Sequence, residues 1–125
     1  LTLLESRGIL ATNVMNRNQL IDRFISNLAN AILHELLEKA IEQIEIAKRY
    51  KKEILNSWEI AKKYREKINP INPPLQERDV FEIRRKITNR VRNELQIRIS
   101  KGYENIDINL VEDFVENALK EQKIT

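Results

Sequence analysis

Between Asn16 and Asn69 the chain contains neither glycine nor proline. Apolar residues return every three or four positions across that stretch, at Leu20, Phe24, Leu28, Ile32, Leu36, Ala40, Ile44 and Ala47. A second register follows at Tyr50, Ile54, Trp58, Ala61, Tyr64 and Ile68. This period belongs to amphipathic helix. A continuous rod of such length needs a partner to cover its apolar stripe, whereas a break lets the two pieces cover each other. Residues 18–68 are therefore expected to form a long or bent helical hairpin. The sequence offers Asn56-Ser57-Trp58-Glu59, which has the spacing of a capping box, as the place for the bend.

Residues 69–76, NPINPPLQ, must form a turn, because Pro70, Pro73 and Pro74 remove backbone donors and disfavour helical geometry in the residues before them. Asn72 followed by Pro73 can open the next helix, a basic one over 77–101, with Gly102 as the residue that ends it. A short extended stretch, YENIDI, leads to Asn109-Leu110-Val111-Glu112, a second capping-box pattern. Leu110, Val111, Phe114, Val115, Ala118 and Leu119 give the last helix, 109–123, one apolar face. With 1–17 as an N-terminal segment, residues 1–125 read as a single all-α domain, a compact bundle of four or five helices.

Composition narrows the class. Apolar residues make up 42% and charged residues 33%, which fits neither a disordered tail nor a lipid-embedded chain. The uncharged run FISNLANAIL at 24–33 is half the ~20 residues a bilayer-spanning helix needs, so no membrane is expected as a partner. The opening LTLL is too short for a signal peptide and lacks a basic flank, which makes the cytoplasm the expected location. Leu1 stands where an initiator Met is usual. A trimmed start, an unusual start codon or a longer reading frame accounts for that, and Met15 is an internal candidate start.

The net charge of +3 conceals a strong segregation. Residues 35–45 carry Glu35, Glu38, Glu42 and Glu45 against Lys39 alone, and 104–125 are also acidic. Residues 48–67 carry eight cations against three carboxylates, and 84–101 carry seven against one. A bound polyanion has two places to sit and two to avoid.

Projecting residues 80–100 at 100° per residue puts Val80, Phe81, Ile87, Val91, Leu95 and Ile99 on the inward face. Arg84 and Arg98 lie within it or at its edge, where they must snorkel or pair. Arg85, Asn89, Arg92 and Gln96 line an adjoining strip, Lys86, Arg90 and Asn93 the far side, and Lys101 follows the end. Guanidinium groups grip phosphates bidentately and amides bond to sugars or base edges, so this helix is a candidate nucleic-acid surface. The plain alternative is a basic, solvated helix. On residues 48–67 the aromatics Tyr50, Trp58 and Tyr64 share the face of Ile54, Ala61 and Ile68. They are core rather than a base-stacking platform, leaving Arg49, Lys52, Lys63 and Lys67 as a second stripe able to follow a phosphate backbone.

Motifs for chemistry are missing. Cysteine is absent, so there is no disulfide framework, thiol nucleophile or Cys-based zinc site. The one histidine lies in His34-Glu35-Leu36-Leu37-Glu38, where Glu38 stands in place of the second ligand of a zincin motif. His34 reads as a helix-boundary residue, and the Glu35, Glu38, Glu42, Glu45 stripe as a solvent face or subunit contact. Gly8 and Gly102 form no phosphate-cradling loop. A helical ribonuclease of the HEPN type has an Arg four to six residues before its His; here Arg23 lies eleven positions from His34. No catalytic residue, cofactor or metal is expected.

A short, cysteine-free, all-helical chain with charge-segregated faces resembles the small subunit of CRISPR effector complexes of the Cascade type. In some of these systems that subunit is translated from within the large-subunit gene, which a start at Leu1 would suit. The resemblance implies a non-catalytic subunit of a ribonucleoprotein in antiviral defence. Its basic faces would stabilise a guide RNA–DNA duplex or hold displaced single-stranded DNA. The residues that would do so are Arg85, Lys86, Arg90, Arg92 and Lys101, joined by Asn89 and Gln96 on the amide-bearing strip, with Arg49, Lys52, Lys63 and Lys67 as the second stripe. The acidic segments would then face other subunits, or further copies of the chain stacked head to tail. The competing expectation is a helical adaptor or scaffold that binds only protein.

Overall fold

A computed structural model describes residues 15–41, 44–68 and 75–125. These residues form four α-helices: α1 (Arg17–Ala40), α2 (Ile44–Ile68), α3 (Glu77–Ser100) and α4 (Val111–Glu121), with a 3₁₀ turn at Ile108–Leu110. No strand occurs among the described residues, and the fold is a compact all-α bundle.

α1 begins in a capping box, in which Asn16 Oδ1 accepts from the Gln19 amide at 2.8 Å and Gln19 Oε1 accepts from the Asn16 amide at 2.9 Å. It is apolar on more than one side: Phe24, Leu28, Ile32 and Leu36 are buried, and so are Ile25, Ala29, Leu33 and Leu37. A helix with two adjacent apolar stripes needs neighbours on both. α2 supplies one by folding back antiparallel, so that Asn30, His34 and Glu38 meet Ser57, Glu53 and Lys51 in descending order. The long helical run is thus a hairpin, but it breaks at Ile41, whose backbone is extended, and not at Asn56–Ser57. Ser57 is unavailable as a cap because it is buried in mid-helix and its Oγ accepts from Asn30 Nδ2 at 2.8 Å.

α3 lies parallel to α1 on its second side, joined by Arg17–Asp79 at one end and Arg90–Ser26 further along. α4 runs antiparallel to α3, with Arg84 opposite Glu116 and Arg92 opposite Glu112. The end of the chain reaches α2, where Gln122 Nε2 donates to the Trp58 carbonyl at 3.3 Å. Phe24, Leu28, Ile32, Ala61, Ile83, Ile87, Val91, Leu95, Val115 and Leu119 meet in one core from all four helices.

The inward face of α3 differs from the sequence projection. Ile83 is 0% exposed and heads the buried series Ile83, Ile87, Val91, Leu95, while Phe81 is 59% exposed and Ile99 also lies outside. Two residues are about 200° apart on a helix, so burying Ile83 turns Phe81 to solvent. The end of α3 is as expected: Gly102 has φ +94°, its amide donates to the Ile99 carbonyl, and the Tyr103 amide donates to the Arg98 carbonyl, both at 3.0 Å. These are the two bonds of a Schellman ending. α4 starts differently from expectation. Asp107, not Asn109, makes the first cap, accepting from the Asn109 amide at 3.0 Å and opening the 3₁₀ turn from which α4 continues. The Asn72–Pro73 start lies outside the described residues.

Candidate functional site

The basic residues of the run 84–101 divide among three surroundings. Facing α4, Arg84 makes a bidentate pair with Glu116, Nε to Oε2 at 2.6 Å and Nη2 to Oε1 at 3.1 Å, and Arg92 pairs with Glu112. Over α1, Arg90 Nη1 donates to Ser26 Oγ at 3.0 Å, and Arg98 Nη1 donates to Glu94 Oε2 at 2.9 Å on its own helix. Facing solvent are Arg85, which holds Glu82 at 2.6 Å, and Lys86, Asn89 and Gln96, with Lys101 just past the helix end. The strip of Arg85, Asn89, Arg92 and Gln96 is therefore divided: its two guanidiniums already hold carboxylates. Arg90 and Arg92 sit on opposite flanks of the helix. Arg84 and Arg98, expected to snorkel or pair, both pair.

Two of the six carboxylates of residues 104–125 answer this helix within one chain. Glu112 and Glu116 close the basic run of α3 from α4. Part of the charge segregation seen in the sequence is thus internal pairing between neighbouring helices.

On α2 the balance is different. Its inner side, with Ser57, Ala61, Arg65 and Ile68 buried and Tyr50, Trp58 and Tyr64 packed on the core, fixes the opposite side in solvent. Lys48, Arg49, Lys52, Lys62, Lys63 and Lys67 are exposed there, and none has a carboxylate within 4 Å among the described residues. Glu59 and Glu66 share this side without closing on them. From Arg49 to Lys67 the helix rises about 27 Å, over which one strand of B-form duplex carries about eight phosphates. Lys67 Nζ also lies 5.7 Å from the Tyr64 ring centroid.

Three further features were not singled out by sequence reasoning. Arg65 is 5% exposed and donates to the Lys123 carbonyl from Nε at 3.2 Å and Nη2 at 2.8 Å, while Nη1 has no partner; burial lowers its pKa. A groove of about 350 Å³ between α1, α2 and α4 is lined by Ile54, Leu55, Trp58 and Phe114, with Glu35 and Glu121 at its edge. Burial raises the Glu35 pKa, helped by the Glu121 and Glu38 charges and opposed by Lys39. Glu35 is therefore no solvent-stripe residue. Glu38 turns instead to Lys51 and Glu45 belongs to the next helix, while Glu42 of the expected acidic stripe lies outside the described residues.

The third feature is polar. Arg23, Ser26, Asn27, Asn30 and His34 follow one another at helical spacing along α1, on the side left between α2 and α3. Their three- and four-residue intervals, with one adjacent pair, were readable as a polar stripe on an otherwise apolar helix.

No family model, curated protein or solved structure matches this chain. The geometry carries the functional argument alone. Among the described residues no helix is long and apolar enough to cross a membrane, and no three His, Cys, Asp or Glu side chains gather as a metal site.

Proposed function

We propose that the chain is a non-catalytic nucleic-acid-binding subunit of a ribonucleoprotein, of the kind represented by the small subunit of Cascade-type CRISPR effectors. The observation that carries this reading is the outer side of α2, where six exposed cations lack a carboxylate within 4 Å among the described residues. Lys and Arg without an ion pair on a rigid helix can exchange their counterions for phosphates without first breaking one. Lys86, Asn89, Arg90 and Gln96 of α3, with Lys101 just past its end, are a second exposed set on another side of α1, and Arg85 and Arg92 join it only by giving up Glu82 and Glu112. Sequence reading would be left to base pairing in the larger complex.

The test is binding of oligothymidylate and of an RNA–DNA duplex, followed by fluorescence anisotropy at increasing salt. Counterion release predicts log K falling with log salt at a slope of roughly −3 to −4 for four or five contacts. Lys52→Glu with Lys63→Glu and Lys67→Glu abolishes retention while helical content is unchanged. A flat salt response, or retention by the triple variant, defeats the assignment. Membership of an effector complex is tested separately, by native mass spectrometry of the chain captured from its host with its neighbours and co-purifying RNA.

One observation favours the second reading, a protein-binding adaptor. Leu55, 65% exposed, stands on α2 at the lip of the groove containing Trp58 and Phe114. An apolar residue there suits a protein neighbour. Leu55→Lys separates the two readings, since it spares polyanion binding and removes a protein contact.

A further inference from the structure

The polar stripe of α1 ends in a cleft of about 200 Å³ between α1 and α3, where Asn30 and His34 face Arg90, Glu94 and Arg98. Its donors are incompletely used. Arg84, Arg85, Arg92 and Arg98 each hold a carboxylate, but Arg90 donates only to the Ser26 hydroxyl among the described residues. Arg98 reaches both the Glu94 carboxylate and the Glu94 carbonyl through a single nitrogen, Nη1, so its planar fork is not engaged in the bidentate manner that guanidinium favours. The cleft therefore holds two guanidiniums against one carboxylate.

His34 lines the same cleft and is its one group that titrates near neutrality. Its Nε2 lies 3.2 Å from Glu53 Oε2, so that nitrogen carries the hydrogen. The other ring nitrogen, Nδ1, is buried without a hydrogen-bond partner. In the neutral ring Nδ1 is an acceptor that an oxyanion cannot partner, but protonation makes it an N–H donor, so an oxyanion in the cleft selects the imidazolium form. The charged and titratable groups around the ring are Glu53 and Tyr50 on α2, Arg90, Glu94 and Arg98 on α3, and Glu38 one turn along α1. Burial is the main influence lowering the His34 pKa; Glu53 works against it and Arg98 with it. An anion beside Arg98 would offset the last of these and favour the protonated ring.

We propose that this cleft binds one tetrahedral oxyanion of the phosphate type, held by Arg90 and Arg98 with His34 as its titrating neighbour. The volume suits a single such group, and the fork geometry of guanidinium suits its oxygens. Two sources share this chemistry, a free oxyanion and a phosphodiester of a polynucleotide. The site does not rest on the nucleic-acid reading, because a free oxyanion fills it equally well.

The experiment uses sulfate, which does not titrate near neutrality, added to ¹⁵N-labelled chain at constant ionic strength set with chloride. His34 is the only histidine, so one imidazole is observed. Sulfate should shift its ring resonances saturably and raise its pKa, by about half a unit or more. Arg90→Gln, on an exposed residue, should weaken the sulfate response at least threefold with the amide spectrum otherwise preserved, and Arg98→Gln should do the same. Should Arg98→Gln disturb the fold, Arg90→Gln decides alone. No saturable change beyond that of chloride, or an undiminished response in Arg90→Gln, overturns the site. A second arm adds oligothymidylate to the sulfate-free protein: a saturable His34 shift of the same sense, lost in Arg90→Gln, assigns the site to a phosphodiester, and its absence beside a sulfate response assigns it to a free oxyanion, the site standing in both cases.

Discussion

Glu35 shows how a single side chain departs from its sequence reading. It lies four residues before Lys39 on a helix and looks like an ordinary solvent-side acid, yet the return of α4 brings Glu121 to it across the Trp58 and Phe114 groove. Its raised pKa has a definite sign in stability. A carboxyl that holds its proton more tightly when folded favours the fold below its ordinary pKa, and that contribution disappears as pH rises through the folded value. At pH 7 the charge is a burden. Glu35→Gln should accordingly raise Tm at pH 7, by about 2 °C for a gain of roughly 0.5 kcal/mol, and should do little at pH 4. Thermal melts by circular dichroism at the two pH values check this, and an equal effect at both would rule out the charge as the cause. His34 has the opposite sign: its lowered pKa contributes stability above about 6.5, which is lost as pH falls from there toward the folded value. Gly102 is the residue the sequence announced best. A Cβ there meets nothing within 4 Å, so Gly102→Ala should cost only the backbone penalty of φ +94°, about 1 kcal/mol, measured by urea unfolding. Asn in its place should cost less, because Asn tolerates this region better than Ala.

At the scale of helices, the period near 3.6 and the glycine at the end of α3 made element type legible, whereas boundaries set by tertiary contact were not. Nothing in Lys39-Ala40-Ile41 breaks a helix on composition, yet the chain turns there, because α1 carries two apolar stripes that must both be covered. Ser57 could pass for a cap until Asn30 claimed its hydroxyl. The basic run of α3 misleads in a similar way, since its counter-charges stand on α4, some twenty or thirty residues further along. This makes the α3–α4 contact partly electrostatic. Arg92→Glu should place two carboxylates together and lower stability by about 1 kcal/mol, and adding Glu112→Arg should restore most of it. Both partners are well exposed, so the loss should shrink in 1 M salt. A double-mutant cycle at low and high salt tests the pair, and no recovery in the swapped variant would mean that packing rather than charge links these helices.

Across the whole molecule, the two basic runs look equivalent as sequence and are unequal once folded. α4 turns two carboxylates onto α3, while the outer side of α2 faces solvent with its cations uncompensated by any ion pair among the described residues. Of the candidate interface, the stripe of Arg49, Lys52, Lys63 and Lys67 was therefore legible from helical phase alone. The share of Arg85 and Arg92 was not, because it depends on which acids fold back. Neutralising those acids measures the difference. Glu112→Gln with Glu116→Gln releases Arg84 and Arg92 without altering side-chain size, and exposes up to two more guanidiniums to a bound strand. If α3 lies along the polyanion, each released arginine that neutralises a phosphate should steepen the salt slope by about 0.7 on single-stranded DNA, and affinity at low salt should rise severalfold. The same double variant should lose a little stability, about 1 kcal/mol at most, because both pairs are exposed. Anisotropy titrations across a salt series read both quantities. An unchanged slope together with the stability loss would show that the released arginines point away from the strand, and would exclude the α4-facing flank of α3 from polyanion contact.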